Sequence, residues 1–312
     1  MSRADRLDRL ATDSGQFAIL ALDHLRSFAT AVRPHDPDSM TPKTIRIWKD
    51  RLIGGLSEDA SAVLIDPLMA LSRIDKGTNL DGPGLIVGLE DSEYGAVAQS
   101  PRLLPGWSVA RAASLGADAV KISFSFDADG DTSAPEQFVR ELVRQCELAE
   151  LPLFCEPLAR IRSGDGVRRG VIEGVRRFGS LGVDVLKIQF PFDTSSDGSR
   201  ESWADACGEV DQMSAAPWAL LSEGRGFAEF RELLTIACRA GASGFVAGRA
   251  IWGGGALDQP DTVRTSSGRL AELRSVVMSE GRPWRSRPGP GPVRTDASSD
   301  KPSRDVSETQ EV

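Results

Sequence analysis

The fold class that the chain predicts is α/β, a single (β/α)8 barrel. Three observations predict it: eight short apolar runs recur about every 25 to 45 residues, segments with helical spacing of apolar positions lie between them, and small-residue turns join the two. The runs are Phe17 to Asp23, Ser61 to Asp66, Gly84 to Glu90, Asp118 to Phe124, Pro152 to Glu156, Val183 to Phe190, Pro217 to Ser222 and Ser243 to Gly248. Eight runs favour a closed barrel; the alternative, a doubly wound open sheet, more often has roughly five to seven strands.

Between the runs the spacing predicts helices over Pro42 to Leu56, Pro135 to Ala149, Gly166 to Leu181, Ala228 to Ala240 and Thr262 to Met278. Leu115-Gly116-Ala117-Asp118, Leu181-Gly182-Val183-Asp184 and Ala240-Gly241-Ala242-Ser243 each set a glycine where a helix must stop and the chain must turn back into a strand. The 312 residues exceed one barrel, and from Gly281 the composition shifts to Pro, Gly, Ser, Arg and Asp, including Pro288-Gly289-Pro290-Gly291-Pro292. Such a segment has too little apolar surface to order itself. The expected organisation is therefore a barrel over residues 1–280 and a disordered tail over 281–312.

Composition removes several classes of function. Forty-five acidic against 37 basic residues give a net charge of -8, the wrong sign for neutralising many phosphates of a nucleic acid. A small anionic substrate remains compatible, because a few cations in one cleft can dominate the local field. Met1-Ser2-Arg3-Ala4-Asp5-Arg6 lacks the layout of a signal peptide and no apolar run approaches a membrane span, so a cytoplasmic protein is expected. The four cysteines, Cys146, Cys155, Cys207 and Cys238, are scattered without a CxxC pair and read as small buried apolar residues.

Barrel chemistry takes place at the C-terminal ends of the strands, so polar residues there carry weight. The first run ends in Asp23-His24, the second in Asp66, the fifth in Glu156-Pro157, the seventh in Ser222 and the eighth in Gly248-Arg249. The fourth holds Lys121 within Val120-Lys121-Ile122, and the sixth holds Lys187 within Leu186-Lys187-Ile188. A lysine in a buried strand costs several kcal/mol to desolvate unless it is paired or neutral. Period-two alternation sets Lys187 on the face of Val185 and Gln189, pointing into the barrel, and Lys121 has the same parity.

Two lysines in one enclosed site have a chemical use. A neighbouring cation and burial both favour neutral amine, which can attack a ketone and form an iminium ion. The iminium is an electron sink for carbon–carbon cleavage, provided a carboxylate such as Glu156 or Asp23 moves the protons. The alternative is that each lysine is merely salt-bridged to Glu156 or Asp23. A second feature is an anion clamp: Ser222-Glu223-Gly224-Arg225-Gly226 follows the seventh run and Gly248-Arg249 follows the eighth, the loops where barrels commonly hold phosphate. Glycines that only make tight turns are the plainer reading of that loop.

The stretches Gly15-Gln-Phe-Ala-Ile-Leu-Ala-Leu-Asp23, Glu156-Pro157, Asp184-Val-Leu-Lys-Ile-Gln-Phe-Pro191, Trp218-Ala-Leu-Leu-Ser-Glu-Gly224 and Ala240 to Trp252 resemble the bacterial class I aldolases that include tagatose-1,6-bisphosphate aldolase and sulfofructosephosphate aldolase. The resemblance covers roughly residues 14 to 255. It implies Lys187 as the Schiff-base lysine, Glu156 in proton transfer, Lys121 lining the same pocket, and Asp23 as the first-strand aspartate. Ser222, Gly248 and Arg249 match its positions for the anionic end of the substrate, and Gly224 belongs to the clamp loop after the seventh run. Two departures stand out: the family usually has Asp-Gln-Arg where this chain has Asp23-His24-Leu25, and Glu where this chain has Gln189, so Gln189 is a candidate substrate contact and His24 a candidate substrate contact or proton carrier.

The expected activity is reversible, metal-independent cleavage of a phosphorylated ketose, like tagatose 1,6-bisphosphate, to dihydroxyacetone phosphate and an aldehyde, by a homo-oligomer with no cofactor. Rivals of the same mechanism are aldolases of sulfofructose phosphate or of another keto or deoxy sugar phosphate. A rival of another class is a barrel that binds sugar phosphates without turning them over. A zinc mechanism needs several imidazoles, and the chain has only His24 and His35, so no metal site is expected.

Overall fold

Runs that are apolar at every position can be strands only if both of their faces are covered, a condition that parallel barrel strands meet. The computed structural model describes residues 1–24, 26–33, 35–69, 82–91, 101–160, 165–195, 198–253 and 261–287. Its strands are β1 (Phe17–Leu22), β2 (Ala62–Ile65), β3 (Gly84–Gly88), β4 (Ala119–Phe126), β5 (Leu153–Ala159), β6 (Val185–Ile188), β7 (Trp218–Leu221) and β8 (Gly244–Ala247). They close in chain order into a parallel barrel, with β1 paired to both β2 and β8. The helices are α1 (Arg3–Arg9), α2 (Arg26–Val32), α3 (Pro42–Leu56), α4 (Val109–Ser114), α5 (Ser133–Ala149), α6 (Asp165–Gly179), α7 (Arg200–Met213), α8 (Phe227–Ala240), α9 (Arg249–Trp252) and α10 (Thr262–Glu280).

The two faces of each strand feed two cores. Outward residues such as Leu20, Val63, Ile122, Leu186 and Leu220 pack with the helices, while Phe17, Ile19, Leu64, Ile86, Phe154, Val185 and Val246 fill the barrel itself. Leu7 and Leu10, at the end of α1, join this inner cluster from below. Arg3 and Arg9 bind Asp184 and Asp118 at 2.5 and 2.9 Å, and each aspartate also accepts a backbone N–H of the preceding strand, Leu153 or Leu85. The turns read from the sequence as glycine stops thus also carry the anchors of the barrel floor.

The chain-end boundary needs a correction. Residues 281–287, expected to open the disordered tail, belong to the barrel: Trp284 is buried in the inner cluster, its N–H donates to Gly15 O, and Arg282 N–H donates to Ala242 O. Arg282 and Arg287 both pair with Asp211, and Arg285 pairs with Asp8. Composition alone missed this because one tryptophan fills the hole beneath the strands and the arginines find fixed carboxylates. Residues 288–312 lie outside the described residues. Helices α1, α2, α4, α7 and α9 were also not anticipated; α7 buries only Ala206, Cys207 and Val210, small side chains that give a weak periodic signal.

No described helix is long and apolar enough to cross a membrane. All four cysteines are buried free thiols. Replacing Trp284 with Ala is expected to cost about 3 kcal/mol or more through the cavity left in the floor. Chemical denaturation would check this, and an unchanged midpoint would show that the segment does not seal the barrel.

Candidate active site

Parity carries the inner face of each strand upward from the apolar cluster to the polar end. On β6, Val185 is followed by Lys187 and then Gln189; on β4, Ala119 is followed by Lys121; on β5, Phe154 is followed by Glu156. Lys121 and Glu156 are fully buried and Lys187 is 3% exposed. The Nζ of Lys187 lies 2.9 Å from Glu156 Oε2, and the Nζ of Lys121 lies 3.0 Å from the same oxygen. Lys121 also pairs with Asp23, at 2.9 Å, and with Glu90.

The electrostatics follow from this packing. Burial alone would push the Glu156 carboxyl up, but the ammonium groups of Lys121 and Lys187 outweigh it and hold the group below the usual carboxylate range. Asp23 is likewise held below its ordinary value by the same two cations, against its own burial. Glu90 goes the other way: burial raises it, Lys121 opposes, and the neighbouring charges of Asp23 and Glu156 add to the rise. Burial takes His24 down to about 4, with Asp23 pulling upward and Lys187, Arg249 and Lys121 pulling further down. His24 is therefore neutral at physiological pH. Its Nδ1 lies 3.4 Å from Asp23 Oδ1, and its ring meets Trp252 edge-on.

Above this layer is a cavity of about 200 Å³. Lys187, Glu156, His24, Gln189, Ser222, Gly248 and Arg249 line it, so the structure gathers seven of the ten candidate residues on one wall system. Lys121 and Asp23 lie behind Glu156 and do not line it, which corrects the expectation that Lys121 borders the pocket. Gly224 also stands behind the wall, where its lack of a side chain makes room for Arg249: a Cβ there would sit 3.0 Å from the guanidinium carbon. At Gly248 a Cβ would lie 2.5 Å from Ala21 O and 3.0 Å from the rings of His24 and Trp252. Arg249 Nε has no hydrogen-bond partner among the described residues.

Three features were missed from the sequence. Glu90 follows Ile86 and Gly88 on the inward parity of β3, a signal that was available and would have placed it beside Lys121. Glu223 lines the cavity with a left-handed backbone, φ 49°, directly before Gly224 at φ 82°. Leu158, Leu221, Val246 and Ala21 supply an apolar lining that exposes no polar pattern to read. Asp66, at the polar end of β2, turns away from the cavity: it binds Lys49 of α3 at 2.6 Å and accepts the N–H groups of Leu68 and Met69. Among the described residues no three His, Cys, Asp or Glu side chains are grouped to hold a metal ion; the carboxylates of the site have ammonium partners instead.

Chemically, the site offers a buried primary amine, a carboxylate within proton-transfer distance of it, and a guanidinium at the far wall. Comparison with known proteins agrees in kind. The family model described as DeoC/LacD family aldolase matches residues 37–254. Tagatose 1,6-diphosphate aldolase 2 of Streptococcus mutans is 27% identical, over 89% of this chain and 95% of that protein. The enzyme of the same name from Streptococcus pyogenes serotype M1 is 26% identical, over 89% and 95%. Among solved structures, an archaeal fructose-1,6-bisphosphate aldolase with its catalytic lysine covalently bound to the carbinolamine intermediate superposes with a TM-score of 0.61 at 21% identity, over 87% of this chain and 98% of that one. The family match spans most of the barrel that carries the amine, the carboxylate and the guanidinium, and the chain belongs to the DeoC/LacD aldolases, an aldehyde-lyase family.

Proposed function

We propose that this aldolase works through a Schiff base on Lys187 and reversibly cleaves a phosphorylated ketose to dihydroxyacetone phosphate and an aldehyde. The observation that carries the proposal is the buried Lys187 amine opening onto a cavity with Glu156 Oε2 2.9 Å away. Support also comes from the tagatose 1,6-diphosphate aldolases among the relatives and from the archaeal aldolase trapped as a lysine carbinolamine.

In the reaction Lys187 passes a proton to Glu156, and the neutral amine adds to the ketose carbonyl at C2. The resulting carbinolamine is uncharged at nitrogen, so Glu156 has lost one of the two cations that held its carboxyl low and becomes able to donate the proton that lets water leave. The iminium then restores positive charge beside the carboxylate. Glu156 takes the proton of the C4 hydroxyl, the C3–C4 bond breaks, its electron pair flows into the iminium, and the aldehyde departs. Protonation of the enamine at C3 and hydrolysis release dihydroxyacetone phosphate and return Lys187. Lys121 stays charged throughout and keeps Asp23, Glu90 and Glu156 in place. Arg249, Ser222 and the backbone at Gly248 hold the C1 phosphate, and Gly224 leaves room for the guanidinium. His24, being neutral, serves as a hydrogen-bonding contact and not as a proton carrier.

Borohydride treatment in the presence of dihydroxyacetone phosphate is expected to leave a reduced adduct on Lys187, read by peptide mass spectrometry. Lys187→Ala should lose both adduct and cleavage; turnover at the wild-type rate in that variant would sink the mechanism, and ligand binding without any adduct would favour a non-catalytic barrel.

Loss of a charge-assisted bidentate contact in Arg249→Ala should raise KM about 10- to 100-fold while kcat changes less. Steady-state kinetics against the phosphorylated ketose decide it: a selective loss of kcat would move Arg249 from phosphate binding to chemistry.

The titration of His24 at about 4 has its own consequence. Its folded value lies below the ordinary histidine value, so the ring is neutral throughout the range from about pH 5 to 8. His24→Gln is expected to leave the shape of the kcat/KM profile unchanged over that window. Disappearance of an acid limb near pH 6 in the variant would show that His24 carries a proton after all.

A further inference from the structure

Two rim residues remain unassigned in the chemistry above, and they touch each other. Gln189 lies two residues beyond Lys187 on the same inward register, which raises it about 7 Å toward the cavity mouth. Three to four carbon–carbon bonds of about 1.5 Å each cover a comparable span, so a ketose joined to Lys187 through C2 brings its distal carbons to the level of Gln189. There Gln189 Nε2 donates to Glu223 Oε1 at 2.6 Å, while its Oε1 accepts the N–H of Ala159 at 3.2 Å. The amide can adopt no other orientation, because the flipped group would turn its oxygen toward the carboxylate and its NH2 toward a backbone N–H. The second oxygen of Glu223 faces Arg225 at 3.6 Å.

Glu223 reaches this position from a left-handed backbone conformation, which is unfavourable for a non-glycine residue and persists where the surroundings demand it. The result is a carboxylate on the cavity wall whose two oxygens are turned to Gln189 and Arg225. A carboxylate only accepts hydrogen bonds: it welcomes a hydroxyl and repels a phosphate or sulfonate.

Building on the aldolase reading of the site, we propose that Glu223, positioned by Gln189, determines specificity: it receives a hydroxyl of the substrate's distal end and disfavours a second anionic group there. The preferred substrate is then a ketose 1-phosphate with a free polyol end, and not the bisphosphate that the similar enzymes are named for. Gln189 has a second effect. A glutamate at 189 would repel Glu223 and drive one of the two carboxylates toward Arg249, occupying the guanidinium that the C1 phosphate needs.

The full chain is assayed with tagatose and fructose 1-phosphates, the matching 1,6-bisphosphates, and the 6-sulfonated fructose 1-phosphate. The wild type is expected to favour the monophosphates by about 10-fold or more in kcat/KM, and Glu223→Gln should shrink that ratio by about 10-fold. Gln189→Glu should raise KM for the monophosphate about 10-fold with kcat retained, and the double variant carrying Gln189→Glu and Glu223→Gln, which exchanges the two groups, should recover it. A wild-type preference for the bisphosphates or the sulfonate, a ratio unchanged by Glu223→Gln, or no recovery in the double variant overturns the inference. The borohydride adduct is measured alongside. An adduct with unaltered preference overturns only this inference, whereas no adduct with any ketose overturns the Schiff-base reading and this inference with it.

Discussion

One carboxylate oxygen, Glu156 Oε2, stands between two ammonium groups at 2.9 and 3.0 Å, directly above the apolar cluster that fills the barrel. Taking such charges from water costs several kcal/mol each, and only close pairing offsets the cost. The low-polarity surroundings that make the charged pair expensive also bring its neutral counterpart, amine and carboxylic acid, nearer in energy. The proposed reaction runs between those two states: Lys187 and Glu156 are charged together at rest and as iminium, and uncharged together as carbinolamine or enamine. No step leaves a lone charge in the barrel. Removing Glu156 would take a shared partner from both ammonium groups and removing Lys121 would take the common cation from three carboxylates, so the residues act as one unit whose individual contributions do not add.

The rest of the architecture keeps that unit dry below and open above. Phe17, Phe154 and Ile19 fill the barrel beneath the lysines, and Leu7, Leu10 and Trp284 close its floor. On the cavity side His24, Gln189 and Arg249 present hydrogen-bonding groups to a ligand. The floor is itself tied by charge, since Asp118 and Asp184 bind the arginines of α1 while holding the neighbouring strands in register. Stability at the N-terminal end and chemistry at the C-terminal end are thereby separated along the barrel axis.

How much of this is legible in the sequence depends on whether a residue's role is set by local pattern or by distant partners. Strand parity is local, and it is enough to aim Lys121, Glu156 and Lys187 into one chamber. The same parity applied to Ile86-Val87-Gly88-Leu89-Glu90 points Glu90 there too, beside Lys121. Which lysine meets the cavity is another matter. Lys121 and Lys187 have the same parity and similar flanks, and only the closing of β1, β3, β4 and β5 around Lys121 seals it behind carboxylates. Trp284 was hidden for a similar reason: its segment is polar and proline-rich, and the pocket that holds it is built by residues 7 to 17, at the other end of the chain.

The two departures from the family pattern become intelligible through their neighbours. Gln189 cannot be judged alone, because its partner Glu223 comes from the loop after another strand; together they carry one negative charge, where two acidic residues would carry two at 2.6 Å. His24 occupies the junction of Asp23, Trp252 and Gly248, in a space that exists because position 248 has no side chain. Buried neutral among three cations, it adds a hydrogen-bonding ring without adding charge to a site whose balance is already set by the lysines and carboxylates. Both changes alter what the cavity wall offers to a ligand while leaving the Lys187–Glu156–Lys121 unit untouched. The reaction at the base and the recognition at the rim thus rest on separate residues, so the wall can change what it accepts without disturbing the amine and its carboxylate.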